Sequence, residues 1–206
     1  VTFDFMVSLD GLGEIHNRVR GGPKAFENTI QTIKALRKMP ITFDLGINCT
    51  VSNLNVYGIF DLKRWCDRER IPYIFSVAHT SRRLYNEKND FLMSSKQIDY
   101  FTKFLSILIR EQPWGYHYWM LYRMLKYHRK RHLTCPFVVD AFSVDPNGDF
   151  HYCPRAKSVG SVLKQNVSNI YYHKRDLEYR KWVEKSECPS CTQNWMYYIA
   201  SKKGLM

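Results

Sequence analysis

The first part of the chain alternates between strand-like and helix-like segments. Apolar residues at every second position, or dense runs of β-branched and aromatic residues, predict strands. Apolar residues that recur with the helical period predict amphipathic helices between them. The pattern therefore predicts strands over 1–10, 42–51 and 71–78, with helices over 23–38 and 57–70.

This order of elements predicts a parallel sheet with right-handed crossovers. The apolar face of the first two strands is expected to lie under helices, and their polar face on the opposite side. The polar face carries Ser8 and Asp10 on the first strand, and Asn48 and Thr50 on the second. We expect these four residues to lie together at one end of the sheet, with Asp10 as a turn former rather than a catalytic group.

A Gly-rich loop is predicted over 10–22, between the first strand and the first helix. Its Gly11-Leu12-Gly13 sequence begins like a dinucleotide-binding fingerprint. The third glycine position holds His16, however, and the predicted helix begins too late for that motif. A dinucleotide-binding fold is therefore rejected.

The second part of the chain has a different character. The predicted elements are a polar loop over 79–95, helices near 95–111, 113–131 and 167–186, and a β-hairpin around the turn sequence at 145–148. The change places a domain boundary near residue 132, which gives domains of 1–131 and 132–206.

Composition and length narrow the class of protein. The 206 residues are 45% hydrophobic and 15% aromatic, which is enough apolar material for a packed core and excludes a disordered chain. No uncharged apolar stretch approaches the roughly 20 residues that span a bilayer. A soluble cytoplasmic protein without a membrane partner is expected.

The charge balance suits an anionic partner. Lys and Arg outnumber Asp and Glu by 31 to 19, a formal net charge of +12. The densest basic run, residues 126–132, is interpreted as a helix C-terminus, where the helix dipole favours cations. The charge therefore points to an acidic or phosphorylated substrate more than to nucleic acid.

The six cysteines fall into two groups. Cys49 and Cys66 lie on apolar faces of a predicted strand and helix, so they are expected to be core residues. The other four lie in the last third of the chain: Cys135, Cys153, Cys188 and Cys191. Four thiolates suit a tetrahedral zinc site or a 4Fe-4S cluster, and their spacing does not choose between the two. Disulfides are disfavoured because nothing in the chain suggests secretion.

Two segments resemble one known family. Ser8-Leu9-Asp10-Gly11, with the following residues 14–21 and 25–26, resembles the fourth strand and loop of radical S-adenosylmethionine (radical SAM) enzymes. The subgroup that it looks like is the one related to anaerobic sulfatase-maturating enzymes and peptide maturases. The tail is similar to their SPASM or shorter Twitch domain in the four late cysteines, in Gly148 five residues before Cys153, and in Val-Gly-Ser-Val at 159–162. Residues 79–131 match only loosely.

The resemblance implies an α/β fold, the C-terminal half of a partial (β/α)6 radical SAM barrel followed by a small Cys-rich SPASM/Twitch-like α+β domain. In the family, a 4Fe-4S cluster cleaves S-adenosylmethionine (AdoMet), and the resulting 5′-deoxyadenosyl radical abstracts a hydrogen atom from substrate. By position, Ser8 and Arg20 would contact AdoMet, with Asn48 and Thr50 beside them. A hydroxyl suits the ribose and a guanidinium suits the methionine carboxylate.

The resemblance also implies one auxiliary 4Fe-4S cluster on the four late cysteines. Residues 192–206 contain none of the further cysteines of a full SPASM domain. Four protein thiolates leave no iron open to substrate, which favours a structural or electron-relay role. An electron donor such as flavodoxin or ferredoxin is implied, and the family's substrates include peptides and proteins. No catalytic residue is assigned.

The chain departs from the family in one respect. The Cys-x-x-x-Cys-x-x-Cys motif of the radical-generating cluster does not occur in these 206 residues. Because the sequence also begins within a predicted strand, it is interpreted as an N-terminally truncated fragment. The full-length parent is expected to be the enzyme and to carry the second 4Fe-4S cluster, whereas the fragment alone is expected to be inactive. The competing interpretation is a non-catalytic zinc-binding module for nucleic acid or protein.

Overall fold

The computed structural model describes residues 3–40, 43–78, 91–112, 115–130, 141–153 and 156–184. The chain divides into two compact units. The first comprises Val1–Ala78 with Phe91–Ile107, and the second comprises His79–Asp90 with Leu108–Met206.

The first unit is built on a three-stranded parallel sheet. Its strands are β1 (Phe3–Ser8), β2 (Phe43–Val51) and β3 (Tyr73–Val77), in the order β1-β2-β3. Helix α2 (Ala25–Leu36) connects the first two strands, and α3 (Ile59–Glu69) connects the second two. The predicted parallel pairing is confirmed, as is the mixed α/β class.

One face of this sheet forms the core of the unit. Ile47, Cys49 and Val51 alternate along β2 and are all fully buried. The covering elements are α3 and α4 (Ser95–Glu111), whose Phe104 ring lies 4.7 Å from the ring of Phe75 on β3. The prediction that the apolar strand face packs under helices is therefore confirmed for β2, whereas Phe5 on the same face of β1 is 37% exposed.

The segment predicted as a Gly-rich loop contains a helix, α1 (Glu14–Arg20). Gly13 and Gly21 flank it with φ values of 54° and 68°, a left-handed conformation that favours glycine. The helix is held from within by the buried side chain of Asn17, whose Oδ1 accepts from the Phe26 amide and whose Nδ2 donates to the Pro23 carbonyl. These contacts tie α1 to the start of α2. The loop prediction is wrong here because the glycines mark the ends of a helix.

The second unit contains helix α5 (Gly115–Tyr127) and a small antiparallel sheet. The sheet strands are β4 (Ser143–Val144), β5 (Asp149–His151) and β6 (Gly160–Ser161). β4 and β5 form the predicted hairpin. Its turn is fixed by Asp145, whose Oδ1 accepts from the backbone amides of Asn147 and Asp149, both at 2.9 Å.

The charged segment predicted as one helix near 167–186 is two helices, α6 (Val167–Tyr171) and α7 (Lys174–Glu184). A tertiary contact lies at the break between the two helices. The buried Tyr152 hydroxyl lies 3.3 Å from the Ile170 carbonyl oxygen and 2.7 Å from that of Tyr171. The Ile170 carbonyl also accepts from the His173 amide, so the hydroxyl adds a side-chain partner at the end of α6, where the last carbonyls lack regular intrahelical bonds.

Among the helices in the described part of the chain, none combines the length and the apolar character needed to cross a bilayer.

Candidate functional site

Asp10 lies where the first two strands of the sheet end. β1 continues past Ser8 through a hydrogen bond from the Leu9 amide to the Asn48 carbonyl, at 3.1 Å. The Asp10 side chain is then only 2% exposed. Its Oδ1 accepts from the Thr50 amide at 2.9 Å, and its Oδ2 lies 2.7 Å from Nε of Arg20. One carboxylate thus joins the end of β1, the end of β2 and the end of α1.

Asn55 holds the backbone on both sides of this carboxylate. It follows β2 and is 1% exposed. Its Nδ2 donates to the carbonyls of Asp10 and Thr50, at 2.8 and 3.0 Å, and its Oδ1 accepts from the Ser52 amide at 2.7 Å. A buried amide with three good hydrogen bonds fixes the two strand ends relative to each other.

His16 is a structural group at the same strand end. Its Nδ1 accepts from the Asp10 amide at 3.0 Å, so the ring proton is on Nε2, which lies 3.2 Å from Oγ1 of Thr29. Burial lowers the pKa of His16 below its ordinary value of 6.5, against the opposing effect of the Asp10 carboxylate. The ring is therefore neutral at pH 7.

This histidine makes the stability of the first unit depend on pH. The folded-state pKa is lower than the unfolded-state pKa, so the unfolded chain binds more protons between the two values. Stability is expected to be full above about pH 7 and to fall as the pH drops through 6.5 toward the folded-state pKa. Denaturant titrations at pH 7.5 and 5.5 measure the effect. A His16→Gln variant should lose less stability than the wild-type chain between these two values, and equal losses would contradict the prediction.

The polar face of the sheet carries an open row of hydrogen-bonding side chains next to Asp10. Ser8 is exposed and lies opposite Asn48 in the strand register, and Thr50 lies opposite Ser76. Asn48 is half-buried, and its Oδ1 accepts from the Ser76 hydroxyl at 3.3 Å. The predicted grouping of Ser8 and Asp10 with Asn48 and Thr50 is confirmed. Contact of Ser8, Arg20, Asn48 and Thr50 with AdoMet stays a prediction.

The polar face and Arg20 present hydrogen-bonding groups and a positive charge. Hydroxyl and amide groups suit the donors and acceptors of a ribose, and Arg20 supplies a cation for a carboxylate. The Arg20 side chain is 41% exposed, and its only partner within the described residues is Asp10, through Nε. Both terminal nitrogens are thus available at the edge of the polar face.

Of the four cysteines predicted to bind a metal, one lies in the described part of the chain. Cys153 lies two residues after the end of β5, is half-buried, and its Sγ is 3.6 Å from the Tyr179 hydroxyl of α7. The predicted ligands Cys135, Cys188 and Cys191 lie outside the described residues. Within the described ranges, no group of three or more His, Cys, Asp or Glu side chains is arranged to hold a metal ion.

The two other cysteines are core residues, as predicted. Cys49 and Cys66 are both fully buried. Burial raises the pKa of Cys66 to about 12 and that of Cys49 well above its ordinary range. Neither thiol is therefore ionised near neutral pH, which makes them poor metal ligands.

Five residues of the basic run, 126–130, are described, and all are exposed at or just after the end of α5. A helix C-terminus is the place where cations are favoured by the helix dipole. Their position agrees with the interpretation of this run as a solvated helix end.

The sequence alone missed two members of the network around Asp10, Thr29 and Asn55, and it missed the role of Asn17 in holding α1 against α2. Asn17, Thr29 and Asn55 were not singled out, although all three contact the segment between β1 and α2 or its partners. Asp10 itself is more than the turn former that was predicted, since its carboxylate binds Arg20 and the Thr50 amide. The available signal was Asn55 itself, an asparagine four residues after the end of β2, where asparagine side chains often bond the backbone.

Comparison with known proteins supports the fold. No family model and no curated protein matches the chain. A solved structure described as native anSMEcpe with bound AdoMet matches it with a TM-score of 0.58 and 15% sequence identity. The match covers 87% of this chain and 53% of that one, so the chain spans about half the length of that structure. AdoMet is the ligand of that protein, and the shared property at this identity is the fold.

Proposed function

We propose that the chain is part of an AdoMet-dependent enzyme of the radical SAM type with a SPASM/Twitch-like auxiliary domain. The observation that carries the proposal is the pair formed by buried Asp10 and half-exposed Arg20 at the carboxyl ends of parallel strands, beside the exposed hydroxyl of Ser8. Ligands of α/β folds bind at these strand ends. The sequence motif around Ser8 and the fold shared with an AdoMet-bound structure support the same ligand.

The resemblance implies the roles of Ser8 and Arg20, and the chemistry of their side chains suits these roles. Arg20 binds the methionine carboxylate through its terminal nitrogens, and Ser8 hydrogen-bonds the ribose. Asn48 and Thr50 line the floor beside the nucleoside. In the complete enzyme, a 4Fe-4S cluster would supply the electron for the reductive cleavage of AdoMet, and a peptide or protein substrate would then lose a hydrogen atom. Cys135, Cys153, Cys188 and Cys191 would hold the auxiliary cluster, and a flavodoxin or ferredoxin would deliver electrons.

The binding of AdoMet to the chain tests this proposal directly. Isothermal titration calorimetry is expected to show saturable binding to the wild-type chain. Replacing Arg20 with glutamine removes a charge-assisted pair of hydrogen bonds, so the Kd for AdoMet should rise about 10- to 100-fold.

Arg18→Gln is a matched control, because it removes the same charge from the same helix. Arg18 is exposed, and its Nη2 donates to the Leu54 carbonyl at 2.7 Å rather than to the Asp10 carboxylate. Its loss should change the Kd less than about twofold. Wild-type chain that does not bind AdoMet, or equal losses in the two variants, would overturn the proposal.

A further inference from the structure

We propose that Asp10 is a positioning residue, which orients the Arg20 guanidinium so that its outer edge receives the carboxylate of an amino-acid ligand. The inference rests on the proposed function, since the ligand in question is AdoMet. It adds a residue that does not touch the ligand and acts only through Arg20.

The Asp10 carboxylate has one orientation. Every polar atom of the residue has a partner: the amide donates to His16 Nδ1, the carbonyl accepts from Asn55 Nδ2, Oδ1 accepts from the Thr50 amide, and Oδ2 pairs with Arg20 Nε. A residue that is 2% exposed and bonded at all four atoms cannot rotate without leaving buried groups unsatisfied. The carboxylate is therefore a fixed anchor.

The anchor restricts the guanidinium of Arg20. This group is planar, and its five N–H donors have a rigid geometry. With Nε held by Asp10, the edge formed by the two terminal nitrogens faces away from the carboxylate. Arg20 is also the last residue of α1, and Gly21 follows in a left-handed conformation, so its backbone is fixed as well. The free edge then has the two parallel donors that a carboxylate accepts in a bidentate pair.

Charge and geometry predict opposite effects of Asp10 on AdoMet binding. As a negative charge, Asp10 opposes the approach of a second carboxylate, so removing the charge would tighten binding. As an anchor, Asp10 orders the long Arg20 side chain before the ligand binds, so that binding does not carry this entropy cost. Removing the anchor would therefore weaken binding. The sign of the change in Kd therefore separates the two effects.

The test compares AdoMet with 5′-methylthioadenosine, which has the nucleoside but lacks the carboxylate. In Asp10→Asn, the side chain can still accept from the Thr50 amide, but its NH2 group then faces Nε of Arg20. The Kd for AdoMet should rise about tenfold and that for 5′-methylthioadenosine should change less than about twofold. In the Arg20→Gln background, Asp10→Asn should have no further effect on AdoMet, because the two residues act as one unit.

Three results would overturn the inference. These are unchanged or tighter AdoMet binding by Asp10→Asn, equal losses for both nucleosides, and an undiminished effect of Asp10→Asn in the Arg20→Gln background. Wild-type chain that binds neither nucleoside would instead reject the proposed function, and the inference with it. If Asp10→Asn does not fold, Arg20→Lys replaces it in the test, because Arg20 is exposed and its substitution should not prevent folding. Lysine keeps the charge but lacks the planar fork, so the Kd for AdoMet should rise, and wild-type affinity would overturn the inference.

Discussion

Replacing Asn55 with alanine is expected to destabilise the first unit by about 3 to 5 kcal/mol. The change leaves the carbonyls of Asp10 and Thr50 and the Ser52 amide without their buried partner. Each unsatisfied buried group costs about 1 to 3 kcal/mol, and partial relaxation reduces the sum. Such a loss is a large part of the stability of an ordinary domain. Equilibrium unfolding in urea, followed by circular dichroism, measures the effect as a fall in the midpoint concentration.

Asn28→Ala is the matched control for this prediction. Asn28 is exposed on α2, where alanine is the better helix former, so the variant should stay within about 0.5 kcal/mol of the wild-type chain. A loss in Asn55→Ala no greater than that in the control would show that the strand ends are held by other contacts.

Replacing Cys153 with alanine is expected to abolish iron binding by the chain. If Cys135, Cys153, Cys188 and Cys191 hold a 4Fe-4S cluster, anaerobic reconstitution should give a brown protein with about four iron and four sulfide per chain. Loss of one thiolate ligand from such a cluster should lower the iron content to near zero. Iron and acid-labile sulfide assays, together with the visible absorption spectrum, measure the outcome.

Cys66→Ala separates a ligand from a core cysteine. Cys66 is fully buried on α3, and its pKa of about 12 keeps the thiol protonated. The iron content of the Cys66→Ala variant should match that of the wild-type chain. Unchanged iron in Cys153→Ala would contradict the assignment of Cys153. Wild-type chain that stays colourless and binds zinc tightly would favour the zinc-binding module instead.

Much of the first unit could be predicted because its strands have a strong local signal. The alternation along β2 places Ile47, Cys49 and Val51 on one face, and a parallel sheet must cover that face with helices. The same alternation predicts the position of Asn48 and Thr50 on the other face. The hairpin at Asp145 was also predictable, since its turn is stabilised by bonds within a few residues.

Prediction failed where distant parts of the chain decide the local structure. The pair Gly13 and Gly21 suggested a loop, but Asn17 and His16 make α1 part of a buried network. The hydroxyl of Tyr152 contacts the end of α6. The pattern of charged residues that predicted a single helix near 167–186 does not indicate such a contact.

By itself, the sequence determined the parallel order of the strands, the buried face of the sheet and the polar residues at its open end. These follow from periodicity and connection length, which are properties of neighbouring residues. Only the tertiary structure showed that Asp10 binds Arg20 and that Asn55 joins two strand ends. Those bonds link residues separated by 10 and 45 positions, and their geometry exists only after the parallel strands have set the positions of their ends.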